Sequence, residues 1–348
     1  MKNNSIKIGK IVIGQNKPAL IIPEIGINHM GSIRKALKMV DLIKESGAKC
    51  VKVQIHIPDE EMSNESRNIK PGNSKSDIYN IIRSNSLNLN EELFLKKYIE
   101  EKNLLYVATP FSFKAIEWIK KNKVKLIKIG SGEFNNKYFI REVIKLNKPI
   151  ILSTGMQDMR TIDSIHKLLV KNNCKFVILH CHSAYPTAPE NSNLNKISSL
   201  KKKFKNSLIG YSDHTIGTDI ACAALTYKPV LIEKHFAQSK NDKGPDIICS
   251  IDKKELSYLL NASENIFLSM NNNEPNHKQE AITKKFAFQS VVAKRDIQIG
   301  EFFSINNTIL KRPGTGYYNS TNYEKLIGRK SKKLIKRNYQ IKITDVSN

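Results

Sequence analysis

Eight short apolar runs recur between residues 19 and 236 with stretches of helical spacing between them, and this alternation constrains the fold more than any other feature of the chain. The runs read ALIIPEIG, CVKVQ, LYVATP, LIKIGS, PIILSTG, FVILHC, SLIGYSDH and VLIEKHF. Near-continuous apolar runs of this length suit strands buried on both faces, and strands that alternate with helices predict a parallel sheet. After the first run Ala36, Leu37, Val40 and Ile43 recur at helical spacing, and after the second Leu93, Phe94 and Ile99 do the same. Eight repeats, with no GxGxxG after the first strand, favour closure into a TIM (β/α)8 barrel over a doubly wound open sheet. A chain of 348 residues holds one such barrel, usually about 250 residues, and a small further domain.

The domain boundaries follow from composition. Residues 1–270 carry the barrel pattern, and 271–283, which include Pro275 and a run of polar residues without periodicity, read as a linker. Residues 284–348 read as short strands and turns. A domain of about 65 residues is marginal alone and gains by docking on a larger body. Residues 55–89 exceed the usual strand-to-helix connection and are expected to cover the pocket as a lid.

Most of the apolar runs end on residues that can do chemistry. They carry Glu24, Lys52 with Gln54, Thr109, Lys128 with Ser131, Ser153, His180 to Ser183, Ser212 with His214, and Glu233 with His235. In a parallel barrel these ends converge on one face, so residues distant in sequence share a pocket. His214 and His235 close two successive strands, and two histidines with open positions suit a catalytic transition-metal site better than a closed structural one. His29, His56, His166 and His277 fall in loops or helices and read as non-catalytic. The turns KIGSGE (128–133) and STGM (153–156) offer glycine-flanked backbone that an anion can approach closely. Lys52 and Lys128 stand inside apolar strands, where an unpaired ammonium is costly, and the expectation is that a small, multiply charged substrate pairs with them. Glu24 and Glu233 either move protons and orient hydroxyls or form salt bridges with those lysines.

Lys and Arg total 57 against 32 Asp and Glu, a net charge of +25. The lysines cluster on polar helix faces, as in LNKISSLKKKF, and no zinc finger, RNP-like aromatic motif or recognition helix accompanies them, so a solvated basic surface is expected rather than a nucleic-acid partner. Steep salt dependence of binding to DNA or RNA would argue otherwise. The five cysteines form no CxxC pair and read as reduced thiols. Without an apolar run of about 18 residues or a signal-like N-terminus, no membrane association and a cytoplasmic location are expected.

The motifs PEIGINHMGS, VKVQIHIPDEEMS, PGNSKSDIY, ATPFS, KIGSGE, STGM, YPTA, GYSDHT, EKHF and GPDI resemble, in order, the sialic acid (N-acetylneuraminate) synthase family. FAFQSVVAKRDIQIGE and KRPGTG resemble that family's C-terminal antifreeze-like SAF domain. The resemblance implies condensation of phosphoenolpyruvate with open-chain N-acetylmannosamine and release of phosphate. It implies a divalent metal on His214 and His235, Mn2+ first with Mg2+ or Co2+ as alternatives. Lys52, Thr109, Lys128, Ser131, Ser153, Ser183 and Ser212 would surround phosphoenolpyruvate; Glu24, Gln54, Tyr185, Asp246, Phe286 and Arg312 would face the sugar. Glu233, Glu24, Lys52 and Lys128 would be catalytic, Glu233 through proton transfer. It further implies a homodimer in which the small domain of one chain covers the barrel mouth of the other and brings Arg312 in trans. Family members often read KHQTH and HCTN where this chain reads KVQIH and HCHS, so Val53 and Ser183 replace a histidine and an asparagine. Legionaminate or pseudaminate synthesis from another acetamido sugar therefore stands beside N-acetylneuraminate synthesis. A Schiff-base aldolase using Lys128 is the competing chemistry. A metal-dependent hydrolase is disfavoured, because the first strand lacks an HxH.

Overall fold

The structure, a computed structural model, describes residues 5–71, 76–271 and 277–347. It divides into two compact units, Met1–Asn271 and Asn272–Asn348. In the first, a hairpin of β1 (Ser5–Ile8) and β2 (Ile11–Gly14) precedes eight parallel strands. These are β3 (Leu20–Glu24), β4 (Cys50–Ile55), β5 (Leu105–Pro110), β6 (Leu126–Ile129), β7 (Ile150–Ser153), β8 (Phe176–Cys181), β9 (Leu208–Asp213) and β10 (Leu231–His235). They pair in sequence order and β10 closes onto β3, so all eight predicted runs form the expected barrel.

Alternation along each strand builds two apolar layers. Outward residues such as Ile21, Val51, Ala108, Ile127 and Ile178 pack against the helices, for example against Ala36, Met39, Val40 and Ile43 of helix Ile33–Glu45. Inward residues Ile22, Val107, Leu126, Ile151, Val177, Leu208 and Leu231 form a second cluster with Ile6, Ile8 and Ile13 of the hairpin. The hairpin thus adds apolar side chains to the interior, and only the C-terminal strand ends are left to carry polar groups inward. Its turn uses Gly9 at φ +57°, a conformation that costs glycine little.

Helix Leu89–Glu101 starts with a capping box between Asn88 and Glu91 and buries the Glu92 carboxyl beside the Tyr106 hydroxyl, which donates to it at 3.4 Å. Burial pushes Glu92 up to about 8. A carboxyl raised in the folded state is protonated there while the unfolded chain ionises, so stability falls as pH rises from about 4.5 to about 8. Glu92→Gln is expected to raise stability by about 1 kcal/mol at pH 5 and by about 4 kcal/mol at pH 8, as urea titration will measure. An equal effect at both pH values would exclude ionisation as the cause.

Residues 55–89 are not an open loop. Among its described residues stand a helical turn at Pro58–Glu61, a 3-10 helix at Asn64–Asn68 and a helix at Ile78–Asn85, and Ile81 and Ile82 pack on Ile27 after β3. Part of the expected lid, residues 72–75, lies outside the described residues.

The second unit pairs β11 (Ser290–Ala293) with β12 (Thr308–Lys311) around a core of Val291, Ile297, Phe303, Tyr318, Leu326, Ile335, Ile341 and Val346. The expected linker 271–283 differs from what is found. Residue 271 ends the preceding helix, 272–276 lie outside the described residues, and 277–283 belong to helix His277–Ala287. That helix buries none of its residues, so it has no apolar stripe to betray it; Glu280 and Lys284 pair across one turn at 3.7 Å. All five cysteines are free. Among the described residues, no helix is long and apolar enough to cross a membrane.

Candidate active site

The polar strand ends meet in one cavity of about 250 Å3. Thirteen residues singled out in the sequence line it: Glu24, Lys52, Gln54, Thr109, Lys128, Ser131, Ser153, Ser183, Tyr185, Ser212, His214, Glu233 and His235, joined by Phe111, Met156, Cys181 and others. Register accounts for the meeting. Glu24 stands level with both His235 and Lys52, and Glu233 with Ser212, whose hydroxyl donates to it at 3.0 Å.

Four buried charges form the floor. Lys52 Nζ lies 2.7 Å from Glu24 and 3.3 Å from Glu233, and Lys128 Nζ lies 3.5 Å from Glu233. Two carboxylates thus balance two ammonium groups, the salt-bridge arrangement that is one of the two expected for these residues, as a buried charge requires. Burial opposes ionisation of Glu24, yet Lys52, with His235 and Lys128, holds it far below the usual carboxylate range. Glu233 is likewise lowered against burial, by Lys128 and Lys52. Burial disfavours charge on Lys52, but Glu233 and Glu24 outweigh it and raise the ammonium. At Lys128 burial wins, and the group is lowered. Lys128 is thus the less satisfied cation.

Around this floor several polar atoms are buried with no hydrogen-bond partner: Thr109 Oγ1, Ser153 Oγ, Glu233 Oε2 and His235 Nδ1. Buried polar atoms are almost always paired, so the orphaned atoms of Thr109, Ser153 and Glu233, all residues that line this cavity, mark a place for a polar ligand. At its edge Gly155 N–H donates to Ser131 Oγ at 3.1 Å, and a Cβ at Gly155 would fall 2.0 Å from Ser183 Oγ and 2.6 Å from Ser131 Oγ. Only glycine allows both hydroxyls so close to the turn.

The His214 and His235 rings lie 5.5 Å apart, with Tyr185 over His214 at 4.2 Å. His214 Nδ1 donates to the His182 carbonyl at 2.9 Å, which turns Nε2 toward other partners. Cys181 Sγ sits 3.8 Å from the same Nδ1. Burial would lower His214, but Cys181 and the His182 carbonyl raise it to about 9, while burial would raise Cys181, which His214 and Lys128 bring down to about 7. His235 Nε2 lies 3.5 Å from Glu24 and Nδ1 3.7 Å from Asp246. Among the described residues no three His, Cys, Asp or Glu side chains group as a metal site. The orphaned His235 Nδ1 and the free His214 Nε2 fit a two-histidine set with open positions.

Phe286 and Arg312 belong to the second unit. They are neighbours there, since Arg312 Nε donates to the Ala287 carbonyl at 3.1 Å, and Phe286 is exposed. Three features escaped the sequence reading. Glu133, closing KIGSGE, has a buried oxygen without a partner, and burial raises its carboxyl. His56 bridges Gln54 and Glu61 beside the cavity. Asp213 and Lys234, each between two cavity residues, face outward and form a fully buried ion pair at 2.7 Å; strict alternation in YSDH and EKH would have put them there.

Fold and site together define a (β/α)8-barrel protein with a charge-balanced, partly unsatisfied polar pocket at its C-terminal mouth, followed by a SAF domain that matches residues 288–347. The NeuB family model matches residues 39–275, and the chain belongs to the NeuB family. It is 33% identical to the N,N'-diacetyllegionaminic acid synthase of Campylobacter jejuni, covering 93% of this chain and 98% of that one. A pseudaminic acid synthase of the same species is 31% identical over 95% of this chain and 97% of its own length. The crystal structure of a sialic acid synthetase from Leptospira borgpetersenii, in complex with citrate, superposes with a TM-score of 0.73 at 30% identity, covering 81% of this chain and 96% of that one.

Proposed function

We propose that the protein condenses phosphoenolpyruvate with the aldehyde of an open-chain N-acetylated amino sugar, N-acetylmannosamine first, giving an N-acetylneuraminate-type acid and inorganic phosphate. The observation that carries this reading is the combination of orphaned hydroxyls with an under-satisfied Lys128 around one cavity. Lys52, Lys128, Thr109, Ser131, Ser153, Ser183 and Ser212 hold the phosphate and carboxylate of phosphoenolpyruvate. Glu24, Gln54, Tyr185 and Asp246 face the sugar. His214 and His235 would hold a divalent ion, Mn2+ by preference, which when bound supplies Lewis-acid polarisation of the aldehyde oxygen. Carbon 3 of phosphoenolpyruvate attacks the aldehyde carbon, and water adds at carbon 2. Glu233 is kept ionised by its two lysines, so its unpartnered Oε2 can accept a proton from that water. The C–O bond to phosphate then breaks.

The test is phosphate release from phosphoenolpyruvate with added Mn2+ and a panel of N-acetylmannosamine and diacetamido hexoses, the latter included because relatives are named legionaminic and pseudaminic acid synthases. No release with any of them would sink the reading. The lowered Lys128 also suits an amine nucleophile. A covalent adduct trapped by borohydride would replace the metal-assisted condensation with a Schiff-base aldolase.

The working form we propose is a homodimer whose SAF domain brings Arg312 and Phe286 to the partner's barrel. Arginine's fork of donors suits acetamido and hydroxyl oxygens. Mixing equal amounts of inactive Arg312→Ala and inactive His235→Ala under subunit exchange is expected to restore about a quarter of the wild-type rate, since about half of the dimers are mixed and each rebuilds one of its two sites from two intact halves. Confirmed exchange with no recovery would put Arg312 in cis or outside the site.

A further inference from the structure

The hydrogen bonds around Gln54 can run in only one direction while Glu24 is ionised. A carboxylate only accepts, so Gln54 Nε2, 2.8 Å from Glu24 Oε1, donates to it. Gln54 Oε1 then faces away and accepts from His56 Nε2 at 3.0 Å. The other ring nitrogen, Nδ1, lies 2.9 and 3.1 Å from the two oxygens of Glu61. Both nitrogens of His56 therefore face acceptors, and a neutral imidazole can donate from only one. The ring cannot easily turn away, because it is buried and stacked on Phe111 at 4.3 Å with the planes 12° apart.

We propose that His56 and Glu61 jointly retain a proton that locks the amide of Gln54, and that His56 is a positioning residue for sugar recognition. With Oε1 occupied by His56 and one amide hydrogen on Glu24, Gln54 offers the cavity a single remaining donor. The site thus selects an acceptor oxygen of the sugar at that point. Loss of the shared proton leaves His56 donating to Glu61 through Nδ1 and turns its Nε2 lone pair toward Gln54. The amide must then flip, and its carbonyl meets the Glu24 carboxylate. Glu61, Glu133 and His29 are the other titratable groups that act on His56, with Glu24 behind Gln54. Burial and the charge of His56 push His29 down to about 4, so it stays neutral near pH 7 and does not compete for the proton.

The identity of the sugar rests on the proposed function; the proton does not. Nitrogen NMR of the full-length, ligand-free protein with labelled histidine, assigned by comparison with His56→Leu, is expected to show Nε2 of His56 protonated at pH 7 and Nδ1 protonated or strongly hydrogen-bonded. A lone-pair signal from Nε2 overturns the proposal whatever the substrate. In turnover, His56→Leu is expected to raise KM for the sugar roughly tenfold, the worth of one good hydrogen bond, with KM for phosphoenolpyruvate and kcat within about threefold of wild type, whereas Glu61→Gln, whose amide can donate to Nδ1 and leave Nε2 protonated, should stay near wild type. An equal rise in both Michaelis constants overturns the positioning role. If no acetamido sugar is turned over at all, the proposed function fails and the NMR result still decides the protonation.

Discussion

His235→Ala is expected to leave a folded barrel whose turnover falls by at least about a thousandfold, with His214→Ala close behind. The loss follows from what each ring contributes. His235 ends β10 with Nδ1 buried, without a hydrogen-bond partner and 3.7 Å from Asp246, and His214 offers Nε2 because Nδ1 is committed to the His182 carbonyl. With only two histidines converging, removing either leaves a divalent ion one protein nitrogen, and Lewis-acid polarisation supplies several kcal/mol of the barrier reduction. The ion must also displace the proton of His214, so Mn2+ affinity in the wild type should rise as pH climbs toward about 9. Thermal melting establishes that the variants fold, elemental analysis counts bound manganese, and phosphate release measures turnover. Wild-type activity in either variant after chelation would remove the metal from these residues.

Most of the barrel was legible because a strand buried on both faces writes itself as an unbroken apolar run, and ALIIPE or PIILS admits few other readings. The site was legible for a related reason. Polar residues such as Lys52 and Glu233 interrupt such runs only where something compensates them. What compensates them was not legible, since the pairing of Lys52 with Glu24 and Glu233 depends on which strands close beside one another. The β1–β2 hairpin was missed because runs of four residues carry too little periodicity, and helix His277–Ala287 because it buries no face. Lys234 and Asp213 were hidden by their neighbours, the chemically louder Glu233, His235, Ser212 and His214.

That hidden pair carries the largest expected loss of stability. Lys234 and Asp213 are both fully buried, level with one another on β10 and β9, and bonded at 2.7 Å. Lys234 also donates to the Thr215 carbonyl, while Asp213 accepts from Tyr211 at 3.1 Å and from the Thr215 N–H and hydroxyl at 3.1 and 2.9 Å. The network therefore grips the residues on both sides of His214 and does so from the residue between Glu233 and His235. Lys234→Met strands a carboxylate in a dry interior, which costs about 3–5 kcal/mol and should lower the melting temperature by roughly 10 °C. Replacing both partners, Asp213→Leu with Lys234→Met, removes the stranded charge and is expected to recover most of that loss, because apolar pairs of similar volume often do as well as a buried ion pair. Activity should not follow stability. The double variant no longer ties Asp213 to Thr215 around His214, so its turnover and Mn2+ affinity should stay at least about tenfold below wild type, as loss of supporting contacts does at metal sites. A double variant that is both stable and fully active would reduce the pair to packing; a Lys234→Met protein that melts with the wild type would show that the interior tolerates the bare carboxylate.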